Sequence, residues 1–230
     1  MMAQRVLVVD DEPQILRFLK PSLGAAGYDV IAVVNGAEAL KVAATQAPDV
    51  VLLDLGLPDM DGKDVIAELR RWSKVPIVVL SARDREAEKI AALDLGADDF
   101  VNKPFGMGEL MARLRTALRH ATQGAGEVSK VVSGDLVIDI AAHSVMRSGK
   151  PIKLTPKEFE LLVILVRNAE RVVTHRQILT AVWGPAHCED LQYLRVFIGQ
   201  LRQKLKAGAE NPDLIQTEAG IGYRLVHPEN

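Results

Sequence analysis

Residues 48–62 read PDVVLLDLGLPDMDG, and this stretch is the strongest indication of the fold. The apolar residues 50–53 run directly into Asp54, and turn-forming Gly and Pro residues follow. A short continuous apolar run bounded by turn residues predicts a strand that is buried on both faces of a parallel sheet. Asp54 would then end a central strand, where open α/β sheets place their sites. An ordinary turn or capping aspartate is the alternative.

Polar residues also end three other predicted strands: the strand from Arg5 leads into Asp10, Asp11 and Glu12, the strand from Val75 into Ser81, and the strand at Phe100 into Lys103. Each of these residues has an ordinary explanation when it is considered alone: a lysine exposed to solvent, an isolated hydroxyl, and acids that cap a helix. Three adjacent acids repel one another unless a cation is present. Carboxylate oxygens suit a small divalent ion, of which Mg²⁺ is the best candidate. Their combination at the ends of parallel strands therefore indicates a functional site.

Strand-like and helix-like patterns alternate through the first half of the chain. Apolar runs begin near residues 5, 29, 50, 77 and 99, and amphipathic stretches occupy 13–26, 36–47, 62–71, 84–95 and 107–119. This alternation predicts an α/β domain with a doubly wound five-stranded parallel sheet, helices on both faces and right-handed crossovers.

Length and composition limit the protein classes. The 230 residues are enough for two domains of ordinary size. We expect neither a membrane span nor a signal peptide, and the single cysteine, Cys188, fits a reducing cytoplasm. Residues 1–121 hold 15 Lys and Arg against 18 Asp and Glu, and residues 122–230 hold 13 against 12. Any affinity for DNA must therefore come from local placement of charge.

The second half begins after a stretch, 120–127, that lacks apolar periodicity, contains two glycines and predicts a flexible linker. Strand signals at 136–140, 143–147 and 150–154 predict a small antiparallel sheet. Capping boxes at Thr155 and Thr174 open two helices, and the second ends before Gly184. A hairpin is predicted at 215–226, turning at 219–220.

A third helix, from about 190 to 206, has two different sides. Four residues form a stripe that faces the core: Leu194, Ile198, Leu201 and Leu205. The same spacing recurs one residue later in a basic row with a glycine gap: Arg195, Gly199, Arg202 and Lys206. No acid occurs between Leu191 and Ala209. Such a helix can enter the major groove of DNA, although a solvated basic face is the alternative.

Residues 1 to about 121 resemble the receiver domain of two-component response regulators, and the remainder resembles the winged-helix effector of the OmpR/PhoB subfamily. The motifs are DLGLPD (54–59), LSAR (80–83), KIAALD (89–94), GADD (96–99), VWGP (182–185), YLR (193–195), LRQKL (201–205) and GIGYR (220–224). Within that subfamily they are most similar to regulators of potassium-transport operons. The resemblance implies a receiver domain at 1–121, a linker at 122–129 and an α+β winged-helix DNA-binding domain at 130–230.

The resemblance also implies the chemistry of the first domain. Asp54 would accept a phosphoryl group from a sensor histidine kinase, since the first histidine of the chain is His120. Asp10, Asp11, Asp54 and the carbonyl of Gly56 would hold Mg²⁺, with Asp10 acting through water. Lys103 would pair with the phosphoryl oxygens, and its bond to Pro104 would be cis. Ser81 and Phe100 would form the switch, although ordinary core filling is the alternative for Phe100.

Binding surfaces follow from the same resemblance. Activated subunits would form a homodimer through the face at 89–115. Ile90, Leu93 and Ala112 would form its apolar centre, and Lys89–Glu109 and Asp99–Arg113 its ion pairs between subunits. Without the resemblance, the spacing of the residues in 89–115 favours a charged surface that is exposed to solvent. Arg195 and Gln200 would contact bases of double-stranded DNA beside Gly199, and Arg202, Lys204 and Arg224 would contact phosphates. The loop 183–190 would contact RNA polymerase, or Trp183 would be a core residue.

Two other functions use the same residues. A Mg²⁺-dependent phosphohydrolase would also work through an aspartyl-phosphate, but the first half shows neither a general base nor a substrate-binding insertion. A DNA-binding protein with an inert receiver domain is the other alternative. The intact set of Asp10, Asp11, Asp54, Ser81 and Lys103 argues against it.

Overall fold

The computed structural model describes residues 3–82, 86–123, 130–133, 135–206 and 214–226. The chain divides into two compact units, Met1–Gly124 and Ala125–Asn230. The predicted linker at 122–129 lies largely outside the described residues. None of the helices within the described ranges is long and apolar enough to cross a membrane.

Five parallel strands form the sheet of the first unit in the order β2-β1-β3-β4-β5. The strands are β1 (Arg5–Val9), β2 (Asp29–Val33), β3 (Val50–Asp54), β4 (Ile77–Ala82) and β5 (Asp99–Lys103). The helices between and after them are α1 (Pro13–Ala25), α2 (Gly36–Gln46), α3 (Gly62–Arg70), α4 (Glu86–Asp94) and α5 (Met107–Gln123). Every residue of β3 is buried, as its uninterrupted apolar run predicted.

The last helix of this unit is longer than predicted. Helix α5 continues to Gln123, so residues 120–123 are helical where a flexible linker was predicted. Ala121, Thr122 and Gln123 do not interrupt a helix, and the first residue that strongly disfavours one is Gly124. The linker prediction was therefore wrong for these four residues.

The described part of the second unit contains two antiparallel sheets and three helices. One sheet has the order β6-β7-β8-β9 and the other β10-β12-β11. The strands are β6 (Lys130–Ser133), β7 (Leu136–Asp139), β8 (Ser144–Arg147), β9 (Lys150–Pro151), β10 (Val172–Thr174), β11 (Ile215–Glu218) and β12 (Gly222–Leu225). The helices are α6 (Pro156–Arg167), α7 (His175–Trp183) and α8 (Leu191–Leu205), with a short 3-10 turn at Pro185–His187.

Both predicted capping boxes are present. The hydroxyl of Thr155 accepts the N–H of Glu158, whose carboxylate accepts the N–H of Thr155. Thr174 and Gln177 make the same pair of bonds. The core-facing stripe of α8 is buried, and β11 and β12 form the predicted hairpin beside it. These elements leave one side of α8 exposed to solvent.

Candidate functional site

The polar residues that end the predicted strands are brought to one edge of the parallel sheet. Asp10 directly follows β1, Asp54 is the last residue of β3, Ser81 is next to last in β4, and Lys103 is the last residue of β5. Because all of these strands are parallel, their carboxyl ends meet. The peptide bond between Lys103 and Pro104 is cis.

The ammonium group of Lys103 is the centre of this cluster. Its Nζ lies 2.7 Å from Oδ1 of Asp54, 2.9 Å from Oδ2 of Asp10 and 2.9 Å from Oε1 of Glu12. Burial lowers the pKa of Lys103, but hydrogen bonds to the three carboxylates outweigh this effect and raise the pKa above its ordinary value. Lys103 therefore carries a full positive charge at neutral pH.

The carboxylates exceed the positive charge available to them. Asp10 is fully buried. Burial raises its pKa, contacts with Lys103 and the Glu12 N–H oppose that rise, and the negative charge of Asp54 adds to it. Carboxylate oxygens in excess of positive charge are the donors that a hard divalent cation such as Mg²⁺ prefers, but here they surround the Lys103 ammonium, and the described side chains form no ready-made metal site.

Asp11 differs from the other predicted metal ligands because its side chain is exposed. Within the described ranges, no three His, Cys, Asp or Glu side chains are close enough together to hold a metal ion. Of the two acids that follow Asp10, it is Glu12 whose carboxylate contacts Lys103. Asp11 as a metal ligand therefore remains a prediction.

The loop after β3 holds Asp54 in place through two glycines. The N–H of Gly56 donates to Oδ2 of Asp54 at 2.7 Å, so Gly56 contacts the carboxylate with its amide. The N–H of Gly62 donates to the carbonyl of Leu55 at 2.9 Å. A Cβ at position 62 would lie 2.6 Å from both the Asp54 carbonyl oxygen and the Leu55 Cα. Glycine at 62 thus permits the loop to fold back onto the end of β3.

Asp59 has a role that sequence reasoning did not predict. Its carboxylate accepts the N–H groups of Gly36 and Ala37 at 2.8 and 2.9 Å, at the start of α2. These hydrogen bonds lower the pKa of Asp59. The contact ties the loop after Asp54 to a neighbouring helix. The sequence gave only a weak signal of this contact. Asp59 is an acid in a loop, and the helix start at Asn35–Gly36 lies in a different part of the chain.

The predicted switch residues are both buried. Ser81 is 3% exposed, and its hydroxyl donates to the Ala82 carbonyl at a long 3.3 Å. Phe100 is 6% exposed, and Nζ of Lys89 lies 5.5 Å from the centre of its ring. The hydroxyl of Ser81 lies at the same sheet edge as Asp54, whereas Phe100 already fills core space. This arrangement is compatible with a switch and with ordinary core filling.

The predicted dimer face needs correction. Lys89, Leu93 and Asp99 are buried within the subunit, at 3%, 2% and 1% exposure. The spacing of Lys89 and Leu93 marks the side of α4 that faces inward, where Ala92 is also buried, so Leu93 cannot be a contact between subunits in this arrangement. Residues 90 and 113 are partly exposed, and residues 109 and 112 are exposed.

The predicted ion pair between Asp99 and Arg113 is also formed within one subunit. Nε of Arg113 lies 3.6 Å from Oδ2 of Asp99. Spacing could not distinguish this pair from one between subunits, because Arg113 on α5 lies next to the strand that carries Asp99. The pairing of Lys89 with Glu109 across a dimer would require the buried Lys89 to move outward.

The exposed side of α8 carries the residues predicted to contact DNA bases. Arg195, Gly199 and Gln200 are all exposed. Within the described ranges, no acidic side chain lies on this helix. The side opposite the core stripe can therefore approach an acidic surface.

Two of the three predicted phosphate contacts have guanidinium groups that are already bonded within the second unit, and one of them, Arg224, is buried and cannot reach a phosphate in this arrangement. Arg224 is 1% exposed, is paired with Glu218 at 3.0 Å and donates to the carbonyl of Glu170. Arg202 donates to the carbonyl of Ile215 at 2.9 and 2.6 Å and to the Thr217 hydroxyl at 2.7 Å. Arg202 joins α8 to the hairpin, and Arg224 joins the two hairpin strands to the segment that follows α6. A count of charges on a helix face cannot reveal such roles.

Lys204 is the third predicted phosphate contact and is partly available. Its Nζ lies 2.6 Å from Oε2 of the buried Glu158. Burial raises the pKa of Glu158, but the hydrogen bonds from Lys204 and from the Thr155 N–H outweigh this effect and lower it. The side chain of Lys204 remains 36% exposed, although its charge is largely neutralised.

The loop predicted to contact RNA polymerase begins at a partly buried aromatic cluster. The ring of Trp183 lies 5.5 Å from that of Tyr193 and 5.2 Å from that of Phe197, both edge-on. Trp183 also packs against the core of the second unit. The core interpretation of Trp183 therefore holds, while a role for the exposed remainder of the loop stays a prediction.

Comparisons with known proteins match both halves of the chain to one protein family. Residues 6–115 match the model of the response regulator receiver domain, and residues 149–225 match that of the C-terminal domain of transcriptional regulatory proteins. The transcriptional regulatory protein KdpE of Mycobacterium tuberculosis is 49% identical over 96% of this chain and 98% of its own length. The KDP operon transcriptional regulatory protein KdpE of Escherichia coli is 48% identical over the same shares.

A solved structure is similar along nearly the whole chain. The response regulator DrrB, an OmpR/PhoB homologue from Thermotoga maritima, has a TM-score of 0.51 and 29% sequence identity. The comparison covers 98% of this chain and 100% of that one. Both domains of this chain thus have counterparts in one OmpR/PhoB homologue.

Proposed function

The chain belongs to the OmpR/PhoB-type response regulators, and from this premise we propose the roles of individual residues and the partners of the protein. Members of this family are phosphorylation-dependent transcription regulators with a receiver and a DNA-binding domain, not classical enzymes. The proposed domains are a receiver whose last helix, α5, ends at Gln123, a linker at 124–129 and a winged-helix domain at 130–230. The 48–49% identity to the KdpE proteins supports a potassium-transport operon as the regulated target.

Asp54 is the proposed acceptor. One of its carboxylate oxygens forms a bond to phosphorus while the P–N bond of a phosphohistidine in a sensor kinase breaks. The observation that carries this assignment is the 2.7 Å contact between Asp54 and Lys103, because transfer requires a cation beside the oxygens of the transferred group. Lys103 moves with those oxygens, and the Ser81 hydroxyl donates to one of them.

Receiver domains generally bind Mg²⁺. In this chain, Asp10, Asp11, Asp54 and the Gly56 carbonyl are the proposed ligands. The bound ion would supply positive charge that stabilises the transferred phosphoryl group. Asp10 and Asp54 support this assignment because they share the single Lys103 ammonium with Glu12, whereas the role of Asp11 rests on the family resemblance.

Phosphorylation then favours a homodimer, and two effector domains bind half-sites about one helical turn apart on double-stranded DNA. Linking two weak contacts in this way raises avidity. Ile90, Glu109 and Ala112 remain candidate contacts on the dimer face. Arg195 and Gln200 remain candidates for base contacts, and loop 183–190 for contact with RNA polymerase. The DNA and kinase partners imply a cytoplasmic location.

Labelling with radioactive acetyl phosphate and Mg²⁺ tests the assignment. The wild-type chain should gain label that is labile to base, and Asp54→Asn should gain none. Asp64→Asn is the matched control, because Asp64 is an exposed aspartate in the first turn of α3. Label on Asp54→Asn would exclude Asp54 as the acceptor. Release of many equivalents of phosphate from a small ester would favour the phosphohydrolase instead.

A further inference from the structure

The loop between β3 and α3 closes on itself beside Asp54. Gly56 and Asp61 form an antiparallel bridge at the base of the loop, so residues 57–60 form its tip. Gly56 lies in this base and donates its N–H to Oδ2 of Asp54 at 2.7 Å. Any rotation of the loop therefore changes the direction of this donor.

The tip of the loop is fixed to the start of α2. Asp59 accepts the N–H groups of Gly36 and Ala37 at 2.8 and 2.9 Å. The side chain of Met60 packs on Gly36, where a Cβ would lie 2.6 Å from the Met60 Cγ. Exposed loops are ordinarily among the more mobile parts of a protein, and Asp59 is exposed. Two hydrogen bonds and one close contact thus restrain a loop tip that faces solvent.

The two oxygens of the Asp54 carboxylate have different partners. Oδ1 lies 2.7 Å from Nζ of Lys103, and Oδ2 accepts the N–H of Gly56. The terminal torsion of an aspartate side chain has only a broad preference of its own. Contacts on both oxygens therefore fix the plane of the carboxylate, and with it the direction from which an oxygen can attack phosphorus.

We propose that Asp59 is a positioning residue for phosphoryl transfer, because it holds the loop tip on α2 and thereby keeps the Gly56 N–H directed at Asp54. This inference rests on the proposed function of Asp54 as the acceptor. In the step that Asp59 influences, one Asp54 oxygen forms a bond to phosphorus. The bond from phosphorus to the leaving group breaks at the same time, and with acetyl phosphate as donor the leaving group is acetate.

Time-resolved labelling of the full-length chain with radioactive acetyl phosphate and Mg²⁺ tests the proposal. In Asp59→Ala the maximal rate should fall by about tenfold, since a misplacement of ~1 Å can cost about 100-fold and the bridge at the base of the loop remains. The acetyl phosphate concentration at half-maximal rate should not change, because Lys103 and Ser81 are the proposed contacts of the phosphoryl oxygens. A merely structural role would lower the labelled fraction of the chain and leave the rate unchanged.

Asn35→Ala is the matched control, because Asn35 caps the same end of α2. Its side chain accepts the N–H of Glu38 at 2.8 Å, a bond within the start of the helix. Both variants weaken the same helix end, but only Asp59→Ala should slow labelling. Asp59→Asn should recover most of the rate, because asparagine accepts N–H groups at a helix start about as well as aspartate does.

A nitrogen–proton correlation spectrum gives a readout that is independent of labelling. The amide resonance of Gly56 should move in Asp59→Ala, because its hydrogen bond to Asp54 is loosened. The same resonance should stay near its wild-type position in Asn35→Ala and in Asp59→Asn.

Three results overturn the inference: a maximal rate in Asp59→Ala that equals wild type, an equal slowing in Asn35→Ala, and an Asp59→Asn variant that is as slow as Asp59→Ala. In each of them the wild-type chain still gains label on Asp54, so the proposed function stands. If the wild-type chain gains no label, or if Asp54→Asn gains it, the assignment of Asp54 itself fails. The two failures are therefore distinguishable.

Discussion

Replacement of Lys103 by methionine is expected to lower the free energy of unfolding of the Met1–Gly124 unit by about 3 kcal/mol at neutral pH. Lys103 Nζ contacts Asp54 at 2.7 Å and Asp10 at 2.9 Å, and Asp10 is fully buried. Removal of one partner of a buried ion pair costs about 3–5 kcal/mol, because the remaining charge stays buried without compensation. The lower value applies because the Lys103 side chain is 16% exposed.

The loss in the Lys103→Met variant should shrink on acidification. Burial already raises the pKa of Asp10, and contact with Lys103 opposes that rise, so removal of the ammonium raises the pKa further. A carboxyl group with a raised pKa in the folded state stabilises the fold when protonated. This contribution is fully present below the pKa of the unfolded chain, about 3.9, and is lost as the pH rises through the folded value. The variant should therefore be closer to wild type at pH 5 than at pH 7.5.

Hydrogen exchange of the amides of β3 measures this effect for one unit alone, since buried amides of a central strand exchange through unfolding of that unit. Lys63→Met is the matched control. Lys63 pairs with Asp61 at 3.1 Å, but their side chains are 28% and 44% exposed, so its loss should stay within about 1 kcal/mol. Equal protection of Lys103→Met and wild type at pH 7.5, or an equal loss at both pH values, would refute the reasoning.

Three further changes have expected outcomes. Gly62→Ala should destabilise the first unit by about 1–3 kcal/mol in the same exchange experiment, because a Cβ would lie 2.6 Å from the Asp54 carbonyl oxygen; unchanged protection would contradict this. Because the net effect of Lys204 and the Thr155 cap is to lower the pKa of Glu158, wild type should lose stability of the second unit as the pH falls below about 4.5. Glu158→Gln should lose this dependence in chemical denaturation at pH 7 and pH 4. Gly199→Ala should raise the stability of the second unit by about 0.5–1 kcal/mol in denaturation, and a lower stability would mean that the fold needs this glycine.

Apolar patterns were sufficient to predict the parallel sheet of the first unit. Its strands begin at residues 5, 29, 50, 77 and 99, as predicted, because runs of buried residues between turn residues are local signals. Strand β6, Lys-Val-Val-Ser, was missed because its apolar signal is only two valines after a stretch with two glycines. Its pairing with β7 is a tertiary contact that local sequence does not reveal.

Charged side chains were the least predictable part of the sites. Lys89, Asp99 and Arg224 are charged residues that the sequence suggested were exposed, yet each is at most 3% exposed. A helical stripe such as Lys89 and Leu93 indicates a common face but not whether that face points inward. Asp10 and Lys103 were easier to place because the carboxyl ends of parallel strands always meet at one edge of a sheet.

The contacts that the single Lys103 ammonium makes with three carboxylates affect the stability of the phosphorylated receiver domain. One ammonium contacts Asp54, Asp10 and Glu12, and a phosphoryl group on Asp54 would add negative charge beside it. If Lys103 follows the new oxygens, Asp10 loses its partner while fully buried, which is unfavourable unless other positive charge is present. The phosphorylated state therefore needs a second cation more than the unphosphorylated state does. By linkage, bound cation and phosphorylation then favour each other by the same factor.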